Sequence, residues 1–136
     1  KPDPIIQNTV TGKIANNQPY IFDICHLGQM AQIKGVGIEF AFEVSSLIFG
    51  GVENWNSDEN LSNAAKKVGL DLIQLRESVT VHEDKIIEQI KQNQVDQLNA
   101  GHHGVPLTVI GDKYFFGQDQ FEKIMETLKE NGLKER

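Results

Sequence analysis

The sequence predicts an α/β chain that is mostly helical and ends in a β-β-α unit. Apolar residues recur at helical spacing through most of the chain before residue 100. At Leu107–Ile110 the pattern changes to a short apolar run with β-branched residues, which is typical of a buried strand. Gly111-Asp112 predicts a hairpin turn and Lys113–Phe116 a returning strand. Residues 119–129 predict a last amphipathic helix, whose apolar side at three- and four-residue spacing consists of Phe121, Ile124, Met125 and Leu128.

Composition argues against two classes of partner. The 136-residue chain has a formal net charge of -6 and no basic cluster, so a nucleic-acid partner is not expected. The longest apolar run, between Ser46 and Gly51, is far shorter than the roughly 20 residues that span a bilayer, so no membrane partner is expected either.

The chain contains one cysteine, Cys25, which allows neither an internal disulfide nor a Cys-x-x-Cys pair. Between Ile24 and His26, a lone cysteine is expected to be a small core residue. The low cysteine content favours a cytoplasmic location and leaves the periplasm open. The first twenty residues contain no apolar core of the length that a signal peptide needs, so no signal peptide is expected.

Helices are predicted after an extended arm, residues 1–19, which has early prolines and weak periodicity. The first helix begins at Tyr20 and breaks at Gly35-Val36-Gly37, and its apolar side consists of Phe22, Cys25, Met30 and Ile33. The second covers residues 38–49 and ends at Gly50-Gly51, with an apolar stripe of Phe40, Val44, Leu47 and Ile48.

Two short helices follow a loop. Asn56 or Ser57 is expected to cap the first, and Gly69 to take the left-handed conformation after its end. Asp71 is expected to cap the second, which runs to residue 79.

A long helix over residues 82–100 completes the helical region. Its predicted apolar stripe consists of Ile87, Ile90 and Leu98, with Ile86 and Val95 at the flanks. Gln94 falls inside this stripe, and a polar residue there indicates a polar partner or a cavity. We therefore predict a helical domain over residues 20–101 and a β-β-α unit over residues 102–136. A two-stranded hairpin is marginal alone, and both of its strands are predicted to be buried on both faces. Its edge should therefore pair with a missing part of the chain, a second copy or the arm.

Two motifs bracket the predicted hairpin: Gly104-Val105-Pro106 before it and Phe116-Gly117-Gln118-Asp119 after it. With the segment GVENWNSDENLSNAAKKVGLD, they resemble the DsbA-like thioredoxin superfamily over about residues 20–133, nearest the branch of 2-hydroxychromene-2-carboxylate isomerases and kappa-class glutathione transferases. The resemblance implies a thioredoxin-like fold with a DsbA-type helical insert before the β-β-α half. The β-α-β half, which carries a serine or a Cys-x-x-Cys pair in that family, is not recognisable here, so we assign no catalytic residue.

The resemblance also implies a glutathione site. The Val105–Pro106 bond would be cis, and the Val105 main chain would pair with the cysteinyl part of glutathione; without the family, a trans proline that starts a strand is the expectation. Gln118 and Asp119 would receive the γ-glutamyl end, unless Asp119 only caps the last helix.

Three further residues are candidates for a substrate cleft: Trp55, Asn93 and His103. Packing is the alternative for Trp55 and for His103. Histidines can act as acid, base or ligand near neutral pH. His102 and His103 alone lack the additional ligands that a metal ion requires, so no metal site is predicted.

The implied function is a glutathione-dependent isomerase or transferase-type activity on a small-molecule substrate. In such an enzyme the thiolate of glutathione adds to an unsaturated substrate, the adduct rotates about the bond that has become single, and glutathione leaves. This chain is expected to be inactive or incomplete, because the nucleophile segment is not recognised. The alternatives are a thiol-disulfide oxidoreductase whose Cys-x-x-Cys lies outside the chain, and a non-catalytic binding or dimerisation module.

Overall fold

A computed structural model describes residues 20–134, so the extended arm predicted for residues 1–19 lies outside the described residues. The elements are α1 (Ile21–Ile33), α2 (Gly37–Phe49), α3 (Asp58–Lys67), α4 (Leu72–Val81), α5 (Glu83–Asn99), β1 (Leu107–Ile110), β2 (Lys113–Phe116), a 3-10 turn (Gln118–Gln120) and α6 (Phe121–Glu130). The mostly helical α/β class is confirmed. Within this part of the chain, each helix is too short or too polar to cross a membrane.

The chain divides into two compact units, Lys1–Ile90 and Lys91–Arg136, and the boundary falls within α5. The first unit contains a hydrophobic core that α1 to α5 build together. The fully or largely buried members of that core are Leu27, Met30, Ala31, Phe40, Val44, Leu61, Ala64, Ala65, Leu72, Leu75 and Ile86.

The predicted core stripe of α2 is confirmed. Phe40 and Val44 are buried, and Leu47 and Ile48 pack against the same cluster. Residues at three- and four-residue spacing share one face of a helix, which is why the periodicity of this segment identifies its inner face.

The apolar side predicted for α1 is wrong except at Met30. The buried residues are Leu27, Met30 and Ala31, whereas Phe22 is 73% exposed and Ile33 is 48% exposed. Cys25 is also exposed, so the expectation of a core cysteine is wrong. Apolar residues occur on more than one side of this helix, and periodicity alone therefore does not choose the side that meets the core.

The two short helices begin at the expected caps. The Ser57 hydroxyl accepts a hydrogen bond from the Asn60 amide at 3.2 Å, and an Asp71 carboxylate oxygen accepts one from the Gln74 amide at 3.0 Å. Gly69 follows α3 with a φ of 77°, as predicted for a left-handed residue after a helix end. The second of these helices runs to Val81, two residues beyond its predicted end.

The stripe predicted for α5 is only partly correct. Ile86 is buried and Ile87 and Ile90 are half-buried, but Leu98 is 63% exposed and Val95 is 48% exposed. Gln94 is exposed, so it needs neither a polar partner nor a cavity. The reason is that only the first half of α5 packs in the core of the first unit, which ends at Ile90.

The second unit contains the predicted hairpin, with Leu107 opposite Phe116 and Ile110 opposite Lys113 in antiparallel register. The strands were expected to be buried on both faces, and this is wrong, because Val109 is 51% exposed and Phe116 is 45% exposed. Within residues 20–134 the sheet has only these two strands, and both of its outer edges are unpaired there.

The last helix, α6, follows the 3-10 turn and buries less of its apolar side than predicted. Ile124, Met125 and Leu128 are half-buried, Thr127 is buried, and Phe121 is 66% exposed. The prediction for Phe121 is therefore wrong. This residue lies at the first position of the helix, directly after the turn, where the three- and four-residue spacing has only just begun.

Candidate functional site

The loop that leads into β1 presents its main chain to solvent. The Val105–Pro106 peptide bond is cis, and Val105 is 78% exposed. Within residues 20–134, neither the amide nor the carbonyl of Val105 takes part in a hydrogen bond. The amide can therefore donate a hydrogen bond to an extended ligand, and the carbonyl can accept one from it.

One hydrogen bond joins the two motifs that bracket the hairpin. The Gly117 amide donates to the Pro106 carbonyl at 3.0 Å, one step beyond the Leu107–Phe116 pair of the sheet. This bond places the strand-entry loop and the Gln118–Gln120 turn at the same end of the hairpin. The register of the two short strands thus places the segments that contain Val105, Pro106, Gln118 and Asp119 at one end of the hairpin.

Gly104 is held by hydrogen bonds at both of its main-chain polar groups. Its amide donates to Nδ1 of His102 at 2.8 Å, and its carbonyl accepts from Nε2 of Gln97 at 3.0 Å. The ring of Phe116 lies directly over this glycine, where a Cβ atom would collide with it. A larger residue would therefore displace the loop or the ring.

Aromatic stacking fixes His102 in the loop. Its ring stacks on that of Phe116 with centroids 4.0 Å apart and on that of His103 with centroids 5.0 Å apart. Because Nδ1 of His102 accepts the Gly104 amide proton, the hydrogen of the neutral ring is on Nε2. His103 is exposed and packs by its ring face. Among the described residues, no three His, Cys, Asp or Glu side chains form a group that could hold a metal ion.

An open groove of about 350 Å³ runs beside the exposed Val105. One wall is polar and comes from α5, with Asn93, Asp96 and Gln97. The other wall is mostly apolar, with Ala100 of the helix end and Val105, Leu107 and Val109. The predicted cleft residue Asn93 thus shares a groove with the predicted binding residue Val105.

Asp119 lies inside the 3-10 turn rather than at the start of α6. The residue that caps α6 is Gln120, and its side chain makes no capping hydrogen bond, so the alternative role of Asp119 as the cap of the last helix is wrong. The exposed carboxylate accepts one hydrogen bond, from Nε2 of Gln120 at 3.1 Å, and its other oxygen lies close over Gly117. Gly117 has a φ of 102°, which favours glycine.

Trp55 belongs to the first unit, where it is 3% exposed and meets the ring of Tyr20 edge-on at 5.8 Å. Its Nε1 is buried and has no hydrogen-bond partner among the residues that the structure describes. The side chain therefore acts as a packing residue of that unit.

The sequence analysis did not predict two residues of the site. These are Gln97 and Phe116, whose ring stacks on that of His102. Phe116 belongs to a motif that the sequence displays, so its position was recognisable but its stacking on His102 was not. Gln97 carries no local signal, because only the path of the loop brings the Gly104 carbonyl to it.

A helical region followed by a β-β-α unit, with a cis-proline at the entry of the first strand, has the arrangement of the second half of a thioredoxin-like domain. The family model named DSBA-like thioredoxin domain matches residues 23–129, and the chain therefore belongs to that family. Comparisons with curated proteins and with solved structures gave no significant match.

Proposed function

We propose that this chain supplies the glutathione-binding part of a DsbA-like protein of the 2-hydroxychromene-2-carboxylate isomerase type. Membership of the DsbA-like family supports the general class. The observation that supports the finer assignment is the bond from Gly117 to Pro106, which links the loop that contains Val105 to the turn that contains Gln118 and Asp119.

The proposed ligand matches the site at both of its ends. The cysteinyl part of glutathione is a short extended peptide, and it would pair with the amide and carbonyl of Val105 as an added strand does. The γ-glutamyl part carries an ammonium group and a carboxylate. The exposed Asp119 carboxylate would accept from the ammonium, and Gln118 and the start of α6 would bind the carboxylate.

In this proposal, bound glutathione supplies the thiolate that adds to an unsaturated small molecule. The residues of this chain bind glutathione and orient it beside the mostly apolar wall formed by Val105, Leu107 and Val109. Asn93 would contact a polar group of the small molecule from the opposite wall. No catalytic residue is assigned here, so full activity would require a β-α-β half with its nucleophile.

Family membership is equally compatible with a thiol-disulfide oxidoreductase. That activity needs a Cys-x-x-Cys pair, and this sequence has a single cysteine, so the pair would lie outside it. The Phe116-Gly117-Gln118-Asp119 motif favours the isomerase type. The third candidate function is a non-catalytic binding or dimerisation module. For all three candidate functions we propose a cytoplasmic location, with the periplasm as the alternative.

The proposal is tested by titrating glutathione into the protein in a calorimeter. Replacing Asp119→Ala removes the acceptor for the ammonium, and a hydrogen bond to a charged group contributes roughly 1.5–3 kcal/mol. We expect the affinity to fall by about tenfold or more. The matched control is Asp112→Ala, which removes an exposed aspartate from the hairpin turn of the same unit and should leave the affinity unchanged.

Equal affinities of the wild-type protein and the Asp119→Ala variant, with both folded by circular dichroism, would contradict the assigned γ-glutamyl site. A wild-type protein that shows no heat of binding with glutathione would remove the whole glutathione proposal.

A further inference from the structure

The loop that leads into β1 contains a hydrogen bond whose acceptor is a titratable nitrogen. Nδ1 of the half-buried His102 accepts the Gly104 amide proton at 2.8 Å. A neutral imidazole has one acceptor nitrogen, whereas an imidazolium has none, because both of its nitrogens then carry a hydrogen. Protonation of His102 therefore removes this bond and turns one N–H group against another across the same short distance.

The rings around His102 hold it in this place. It stacks on Phe116 with ring centroids 4.0 Å apart, and the ring of Tyr114, two residues earlier on the same face of β2, lies 6.3 Å away. A Cβ atom on Gly104 would collide with the rings of both His102 and Phe116, so the loop is closely packed here. The His102 ring therefore has little room to turn its other nitrogen toward the Gly104 amide.

A positive charge on His102 would have no ion-pair partner in the described part of the chain. The titratable groups that face it are the ring of His103, stacked with centroids 5.0 Å apart, and the ring of Tyr114 from β2. From α5 the loop is met by Gln97, which is neutral, while Asp96 beside it lines the groove. Uptake of a proton by His102 therefore weakens the loop, because the lost hydrogen bond is not replaced by an ion pair.

The bond that His102 makes bears directly on the exposed main chain of Val105. The Gly104 carbonyl and the Val105 amide belong to one planar peptide unit, so the bond from Gln97 to that carbonyl at 3.0 Å also sets the direction of the Val105 N–H. The bond to His102 fixes the peptide unit on the other side of Gly104. Because glycine has unusually free main-chain torsions, the two bonds together restrict Gly104, whereas one alone leaves it a pivot.

We propose that neutral His102 is a positioning residue of the glutathione site, and that its protonation releases the Gly104 main chain and lowers the affinity for glutathione. The ligand in this inference rests on the proposed function, whereas the change in the loop depends only on the geometry around Gly104. Histidine changes its charge near neutral pH. The site therefore binds more tightly on the alkaline side of that range and more weakly on the acidic side.

Calorimetric titration of glutathione into the whole chain across a pH series tests the effect on binding. The wild-type affinity should fall about fivefold or more from about pH 8 to about pH 5.5, as the loss of one hydrogen bond implies. His102→Asn offers a side-chain oxygen near the place of Nδ1 and does not titrate, so its affinity should depend far less on pH. The matched control His103→Asn leaves the bond to Gly104 in place and should keep the wild-type pH dependence. Titration of glutathione itself is common to all three proteins and cancels in this comparison.

The change in the loop is measured separately by NMR of the wild-type chain without ligand, so it does not depend on the folding of a variant. The amide resonances of Gly104 and Val105 should shift with the same midpoint as the ring of His102. Amide resonances that do not follow this titration would overturn the inference, and so would a wild-type affinity that is equal or higher at the acidic end. A protein that binds no glutathione at any pH would instead remove the proposed function, and the amide resonances would then decide the inference about the loop.

Discussion

Cys25 shows how a single residue departs from the behaviour of its type. The sequence favours a core position, but the residue is exposed on α1. Nearby atoms still exclude part of the water around its sulfur, and this partial burial raises the pKa of the Cys25 thiol above its usual value. A raised pKa means little thiolate at neutral pH, which agrees with assigning Cys25 no catalytic role.

We predict that Cys25 of the folded protein reacts with iodoacetamide more slowly at neutral pH than the same cysteine in urea. The inflection of rate against pH should lie higher in the folded state. Because folding favours the protonated thiol, its contribution to stability is present at low pH and is lost as pH rises through the folded-state pKa. The check is the alkylation rate across a pH series with and without urea, and equal inflections would contradict it.

At the scale of single elements, local chemistry predicted the ends of the helices better than it predicted their buried faces. Ser57 and Asp71 cap the helices that they were expected to cap, because a cap needs only a side chain and an amide three residues away. The buried face of α1 was predicted wrongly. Helix α2 has an exposed apolar stripe in addition to the buried stripe that was predicted. Choosing a face requires knowledge of what the helix packs against.

The cap of α3 gives a prediction of stability. Ser57→Ala leaves the Asn60 amide without its side-chain acceptor and should lower the free energy of unfolding by about 1 kcal/mol. Ser57→Asp restores an acceptor and should recover most of that loss. Urea unfolding followed by circular dichroism measures both variants, and a Ser57→Ala protein as stable as the wild type would show that the cap contributes nothing.

At the scale of the whole molecule, burial is distributed unevenly. Within residues 20–134, the buried apolar side chains all lie between Leu27 and Ile86, and Thr127 is the one buried residue of the second unit. The hairpin therefore depends on few buried contacts of its own. Regions with few buried apolar contacts open at lower free energy than the core.

We predict a corresponding difference in amide hydrogen exchange. The core helices of the first unit, such as the segment around Phe40 and Val44, should exchange more slowly than the amides of β1 and β2. Exchange monitored by mass spectrometry on the whole chain gives both rates in one sample. Equal protection of the hairpin and of α2 would mean that the hairpin is stabilised by contacts other than those seen within its own unit.

The sequence by itself determined the kinds and order of elements, the turn at Gly111-Asp112, the helix caps and the two motifs around the hairpin, because each of these depends on residues close together in the chain. Only the tertiary structure decided that Gly117 binds Pro106 and that Gln97 holds Gly104. It also decided which side of α1 is buried. These outcomes depend on distant segments meeting in space, and a burial pattern along one helix does not specify its neighbour.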